Sequence, residues 1–135
     1  MILFYAQRFL NIYLHGKLYF NEVKKMEIGQ TISQGVIIVT VAEWLDSASS
    51  ENFLKYCTAL PVSPVIIDLS GLTYISSAGI RALLQFEKDR RQQGITVAIV
   101  GSKGFVLSVL KMSGFDQIFL MYPSVTEAMQ VMAKR

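Results

Sequence analysis

The sequence predicts an α/β sandwich with a mixed β-sheet, in which an N-terminal hairpin is followed by parallel strands and about four helices. Two observations carry this prediction. Short apolar runs bounded by turn residues, such as residues 65–67 between Pro64 and Asp68, are typical of strands buried on both faces of a sheet. These runs alternate with longer segments of helical periodicity, and that order favours crossover helices between parallel strands.

The first predicted unit is a β-hairpin. Residues 27–33 alternate apolar and polar side chains, residues 36–41 form an apolar β-branched run, and Gln34-Gly35 lies between them as a turn. The next residues, 43–46, are predicted to form a loop.

Four helices follow from apolar spacing and end signals. The first is capped by Ser47 or Ser49, and the second spans about 77–93 with Ser77 as its N-cap. A third is stopped by Gly114, and the last begins at Ser124. The residues predicted to be buried by the first and third helices are Phe53, Leu54, Cys57, Leu60, Val106, Leu107, Val109, Leu110 and Met112.

Further strands are predicted between these helices. They comprise residues 65–68, residues 96–100 and a short run at 118–120. Met129 is predicted to fill the core.

Composition indicates one globular domain with a real core, because 52% of the 135 residues are hydrophobic. The formal charge of +3 lies wholly in residues 1–25, which hold four basic side chains and one acidic one. Residues 26–135 are formally neutral. A nucleic-acid partner is therefore not predicted.

The single cysteine, Cys57, excludes an intrachain disulfide and a cysteine metal cluster. A cytoplasmic location is predicted, because a reducing compartment suits a chain without disulfides. No window reaches the roughly 20 apolar residues of a transmembrane segment, and the features of a signal peptide are missing.

Few residues carry catalytic chemistry. His15 is the only histidine, and Ile75 stands where a nucleophile elbow needs glycine. We therefore predict no enzyme activity, no catalytic residue and no metal site. No cofactor is expected, although the loop 101–104 leaves weak nucleotide binding open despite lacking P-loop spacing.

Residues 65–132 resemble the STAS domain of the anti-sigma-factor antagonist (anti-anti-sigma factor) family. The resemblance rests on the motifs at 68–75, 76–80, 94–100, 110–119 and 122–129, and the hairpin with Leu45-Asp46 extends it to residues 26–135. It implies a STAS-like fold and a cytoplasmic phosphoprotein that regulates transcription by partner switching.

The resemblance also implies a switch. Ser77 matches the phosphoacceptor, with Ser76 as the fallback. The unphosphorylated form would bind an anti-sigma factor/serine-protein kinase, phosphorylation would release it, and a PP2C-type phosphatase would reset it. The residues expected to contact the partner are Asp46, Trp44, Ser76, Ser77, Ala78, Gly79 and Arg81.

Three positions depart from the family pattern. Ser76 stands where aspartate often precedes the acceptor, Arg81 replaces a small residue, and Glu43 replaces a common glycine. The alternative function is an unphosphorylated STAS subunit of another assembly, such as a lipid-transport or stress-sensing complex.

Residues 1–25 form an N-terminal extension outside the family pattern, and two interpretations stay open. Apolar residues at Leu3, Ala6, Leu10 and Leu14 could form a docking helix. Alternatively, translation starts at Met26, and the extension is non-native.

Overall fold

A computed structural model of the protein describes residues 9–14, 17–22 and 25–133. Within that part of the chain the strands are β1 (Phe9–Leu14), β2 (Lys17–Glu22), β3 (Glu27–Ser33), β4 (Val36–Leu45), β5 (Val65–Asp68), β6 (Leu72–Ile75), β7 (Val97–Val100) and β8 (Leu120–Tyr122). The helices are α1 (Ser50–Thr58), α2 (Ser77–Gln92), α3 (Gly104–Met112) and α4 (Val125–Met132), with a short 3-10 turn at Phe115–Gln117.

Six of these strands form one mixed sheet, as the sequence predicts. Its order is β3-β4-β5-β7-β8, and β6 pairs with the far end of β4. The β3–β4 pair is antiparallel, with Glu27 opposite Ala42, whereas the remaining pairs are parallel. The carboxyl ends of the parallel strands therefore meet at one edge, where the loops that carry function in such sheets lie.

The β3–β4 hairpin is confirmed with its predicted turn. Gln34 and Gly35 have φ values of 51° and 78°, as a two-residue turn needs in order to match the right-handed twist of the strands. This turn fixes the register, and register decides which side chains of β4 face the helices.

The sheet is covered on both faces. The larger cluster packs α1, α2 and α3 against alternate strand residues such as Val39, Ile67 and Ile99, and the smaller one packs α4 against Ile66 and Ala98. The continuous apolar runs of β5 and β7 are thus explained, because both faces of these strands are buried.

Several predicted elements are wrong in detail. Residues 43–45 continue β4 and do not form a loop, and β6 was not predicted at all. Phe119 precedes β8, whose strand is Leu120–Tyr122. Met112 is 87% exposed at the end of α3 and is not a core residue.

One of the two open interpretations of residues 1–25, a docking helix, is wrong over residues 9–14. Phe9–Leu14 is a strand that pairs antiparallel with Lys17–Glu22. Leu3 and Ala6 lie outside the described residues.

Arg90 of α2 joins two helices through a buried cation. Its guanidinium donates to the carbonyl oxygens of Cys57 and Leu60, both at 2.9 Å, and to that of Pro61 at 2.8 Å. It also lies 5.3 Å from the ring centroid of Phe86. A cation at a helix C-terminus satisfies the last carbonyls and complements the helix dipole, so Arg90 fixes α1 against α2.

Cys57 lies in the same buried region. Burial raises the pKa of its thiol from 9.0 to about 12, and the nearby Arg90 charge offsets this only in part. Because the thiolate is the reactive form, Cys57 stays an inert core side chain at neutral pH.

Replacing Arg90 with methionine removes the side-chain donors to the Leu60 and Pro61 carbonyl oxygens, whereas the Cys57 carbonyl oxygen keeps the Leu60 N–H as a donor. We expect Arg90→Met to lower the free energy of unfolding by about 3 kcal/mol, since each orphaned buried acceptor costs roughly 1–3 kcal/mol. Urea denaturation measures this change. The control is Lys88→Met on the exposed side of the same helix, which should shift stability by less than about 0.5 kcal/mol; equal effects of the two substitutions would contradict the prediction.

Candidate functional site: the serine turn at the end of β6

Two serines stand between β6 and α2, at the edge where the parallel strands end. Ile75 closes β6 with its side chain buried, Ser76 is half-buried, and Ser77 is exposed. The Ser76 N–H donates to the Leu45 carbonyl oxygen at 3.0 Å. The turn is therefore attached to the end of β4 as well as to its own strand.

Ser76 is the N-cap of α2, which corrects the prediction that Ser77 caps this helix. The Ser76 backbone is extended (φ −97°, ψ 173°), and its hydroxyl oxygen accepts a hydrogen bond from the Gly79 N–H at 3.3 Å. The sequence alone could not choose between the two positions, because both hold serine and the preference of serine for the N-cap is the same at each.

Ser77 is the first helical residue, and its side chain points to solvent. Within the described part of the chain its hydroxyl has no hydrogen-bond partner. Ala78 is half-buried beside it. Arg81 is exposed one turn further along α2, where side chains four residues apart share a helix face.

Gly79 is buried and brings α2 close to β4. A Cβ atom at this position would overlap the carbonyl oxygen of Leu45 and come within 2.9 Å of the Ile75 side chain. Only glycine allows this approach. Gly79 was predicted to contact a partner, and its burial means that it acts by placing the serine turn.

Trp44 and Asp46 flank Leu45 and so belong to the same edge. Asp46 is half-buried, and its Oδ1 accepts hydrogen bonds from the Ala48 N–H, the Ser49 N–H and the Ser49 hydroxyl, each at 3.1 Å. These bonds organise the turn into α1. Asp46 therefore has a structural role beside its predicted partner contact.

Glu43, which replaces a glycine common in the family, has a backbone conformation that glycine favours. Its φ is 70°, in the left-handed region that non-glycine residues seldom occupy. The β4–β6 register shifts between Glu43 and Trp44, as a bulge requires. The bulge aims Trp44 at β6, and the glycine common at this position in the family suits the same backbone.

Sequence reasoning missed two aromatic residues here. The Trp44 ring lies 5.0 Å from that of Tyr74, which in turn stacks on Phe105 of α3 with centroids 5.8 Å apart and planes 5° from parallel. We call Trp44, Tyr74 and Phe105 the aromatic ladder. The β-branched and aromatic run at residues 72–75 was the sequence signal for β6, but it does not show that the three rings meet.

The loop after β7 lies on the same edge. Gly101 has a φ of 76°, and a Cβ there would approach Asp68 Oδ1 and the Ser70 side chain to 3.0 Å. Asp68 accepts from the Ser70 N–H at 2.9 Å, which confirms the Asx-type turn expected after β5. Weak nucleotide binding by residues 101–104 stays a prediction.

Among the residues that the structure describes, no helix is long and apolar enough to cross a membrane.

The fold and the serine turn together define the class of protein. Residues 28–128 match the family model described as the STAS domain, and the chain belongs to that family.

Two named proteins are similar to this chain in sequence. A Bordetella bronchiseptica protein named as an anti-sigma factor antagonist, BtrV, is 42% identical over 89 residues, which cover 63% of this chain and 76% of that protein. Osmosensory protein A of Mycobacterium tuberculosis is 32% identical over 71 residues, covering 51% of this chain and 45% of that protein. This chain thus spans less than half the length of the mycobacterial relative.

A solved structure has the same fold. The crystal structure of a Thermotoga maritima protein described as an anti-sigma factor antagonist superposes with a TM-score of 0.73 at 21% identity. The match covers 80% of this chain and 95% of that one. The STAS-like α/β fold predicted from sequence is confirmed.

The two serines should differ sharply when each is replaced by alanine. Ser76→Ala removes the helix cap, and we expect it to lower the free energy of unfolding by about 1 kcal/mol. Ser77→Ala removes an exposed hydroxyl and should change stability by less than about 0.5 kcal/mol. Urea unfolding of the two variants measures the difference, and a larger loss in Ser77→Ala would contradict the assignment of the cap.

Proposed function

We propose that this chain is a non-enzymatic anti-sigma factor antagonist that binds a serine kinase/anti-sigma factor and is switched off by phosphorylation at Ser77. The observation that carries the proposal is the different use of the two serines. The Ser76 hydroxyl is engaged as the helix cap, whereas the Ser77 hydroxyl is exposed to an incoming kinase. The 42% identity to a protein named as an anti-sigma factor antagonist supports the role.

The position of Ser77 lets the fold accept a phosphate. The cap satisfies the Gly79 N–H, while helix geometry leaves the N–H groups of Ser77 and Ala78 without intrahelical partners. A phosphate adds about −1.5 to −2 charge and three acceptor oxygens. The free N–H groups and the positive end of the helix dipole stabilise that charge.

The partner would respond differently to the same group. A surface shaped to the small Ser77 hydroxyl would have to bury a bulky anion and remove its water, which opposes association. The kinase transfers the γ-phosphoryl group of its own ATP to Ser77 Oγ, takes up the hydroxyl proton and releases ADP. A PP2C-type phosphatase would restore the hydroxyl, and the antagonist itself needs no catalytic residue.

Phosphosite mapping tests the acceptor. The unaltered chain and the variants Ser76→Ala and Ser77→Ala are each incubated with ATP and a purified serine kinase/anti-sigma factor from the same organism. The products are mapped by mass spectrometry. We expect phosphate on Ser77 in the unaltered chain and in Ser76→Ala, and none in Ser77→Ala. Phosphate on Ser76 would move the switch by one residue. Phosphate on neither serine would favour a STAS subunit of another assembly.

A charge mimic tests the effect on binding. We expect Ser77→Asp to weaken binding of the same kinase by tenfold or more, because the interface must accommodate a buried anion, while its melting temperature stays within about 2 °C of the unaltered chain. Titration calorimetry and thermal unfolding measure the two quantities. Ser77→Asn, which matches the size without the charge, is the control. Equal affinity of the Asp variant and the unaltered chain would defeat the proposed switch.

A further inference from the structure

We propose that the aromatic ladder is the apolar centre of the surface that receives the anti-sigma factor, and that it fits a partner segment with apolar side chains flanked by carboxylates. This inference rests on the function proposed above and names what its binding surface recognises. The ladder adjoins the serine turn, because Tyr74 in β6 lies two residues before Ser76.

Two rings of the ladder are exposed and the third, Trp44, is half-buried, although the rings are ordered against one another. Phe105 is 55% exposed and Tyr74 is 36% exposed, yet Phe105 lies flat on Tyr74. Stacked rings lose little conformational entropy on binding because they already hold each other in place, and aromatic residues dominate the energetics of protein interfaces. A lone exposed phenylalanine would need no explanation, whereas three rings in contact form a surface.

Backbone on both sides makes this surface rigid. Trp44 is placed by the bulge at Glu43, whose N–H donates to the Gly71 carbonyl oxygen at 3.0 Å and whose own carbonyl oxygen accepts from the Thr73 hydroxyl at 3.1 Å. Phe105 is in the first turn of α3, which packs against β6. The ladder is thus set by two strands and a helix, as a preformed binding surface requires.

Charges beside the ladder favour an acidic partner. Lys103, two residues before Phe105, and Arg81, four residues after Ser77, are both exposed, and neither forms an ion pair within the described residues. The nearby carboxylates of Glu43, Asp46 and Asp68 are half-buried, and those of Asp46 and Asp68 already accept backbone hydrogen bonds. The accessible charge is therefore cationic, and it complements carboxylates on the partner.

This arrangement gives phosphorylation a second effect. Arg81 shares a helix face with Ser77, so a phosphate on Ser77 can pair with the guanidinium. Arg81 would then be lost to the partner's carboxylates, and the phosphate would repel them.

The test measures binding of the same purified serine kinase/anti-sigma factor by titration calorimetry. We expect Phe105→Ala to weaken binding by tenfold or more, and Met112→Ala, an exposed apolar residue at the other end of the same helix, to change it by less than twofold. Lys103→Glu should weaken binding several-fold, more at low salt than at high salt, whereas Lys88→Glu should not. Melting temperatures verify that each variant is folded.

The outcomes separate this proposal from the one on which it depends. If the unaltered chain binds and is phosphorylated on Ser77 but Phe105→Ala binds within twofold of it, the antagonist function stands and the ladder proposal is overturned. Failure of the unaltered chain to bind would remove both. Concentration-dependent dimers that Phe105→Ala abolishes, seen by sedimentation without an effect on kinase binding, would assign the ladder to a second copy of this chain.

Discussion

At the start of α2 the backbone of Gly79 lies against the carbonyl group of Leu45, where any side chain would overlap the end of β4. This contact determines where the serine turn can be. It places α2 directly over the end of β4, and the Leu45 carbonyl also accepts from the Ser76 N–H. Trp44, Asp46, Ser76 and Ser77 consequently share one edge of the sheet, although about thirty residues of sequence lie between the two pairs.

Around that contact the residues that stabilise the fold are separate from those of the proposed switch. The internal hydrogen bonds of the site involve Ser76, Asp46 and Asp68, whose side-chain oxygens satisfy backbone N–H groups. Ser77, Arg81 and Phe105 are exposed and contribute little to the core. A modification or a partner can therefore act on the second group without unfolding the first. Arg90, near the C-terminal end of α2, belongs to the stabilising group. It holds that helix to α1 independently of the serine turn.

The sequence was sufficient for the sheet, the hairpin and the four helices, because apolar periodicity reports burial directly. It failed where a tertiary contact decides. β6 has only four residues, and it is a strand because Trp44 and Leu45 pair with it. The exposure of Met112 depends on where α3 ends relative to the sheet. The cap fell on Ser76 and not on Ser77 because the Leu45 carbonyl fixes the Ser76 N–H. The ladder could not be predicted, since its three rings come from three separate elements.

Trp44 is the only tryptophan in the chain. It lies at the edge of the proposed binding surface, with its ring centroid 5.0 Å from that of Tyr74. The ultraviolet emission of the whole protein therefore comes largely from one indole beside the serine turn. Excitation energy absorbed by Tyr74 transfers to the Trp44 indole, because the two ring centroids are only 5.0 Å apart. The molecule thus contains an optical probe at the place where its state would change, and events at this edge can be followed in solution without attaching any dye.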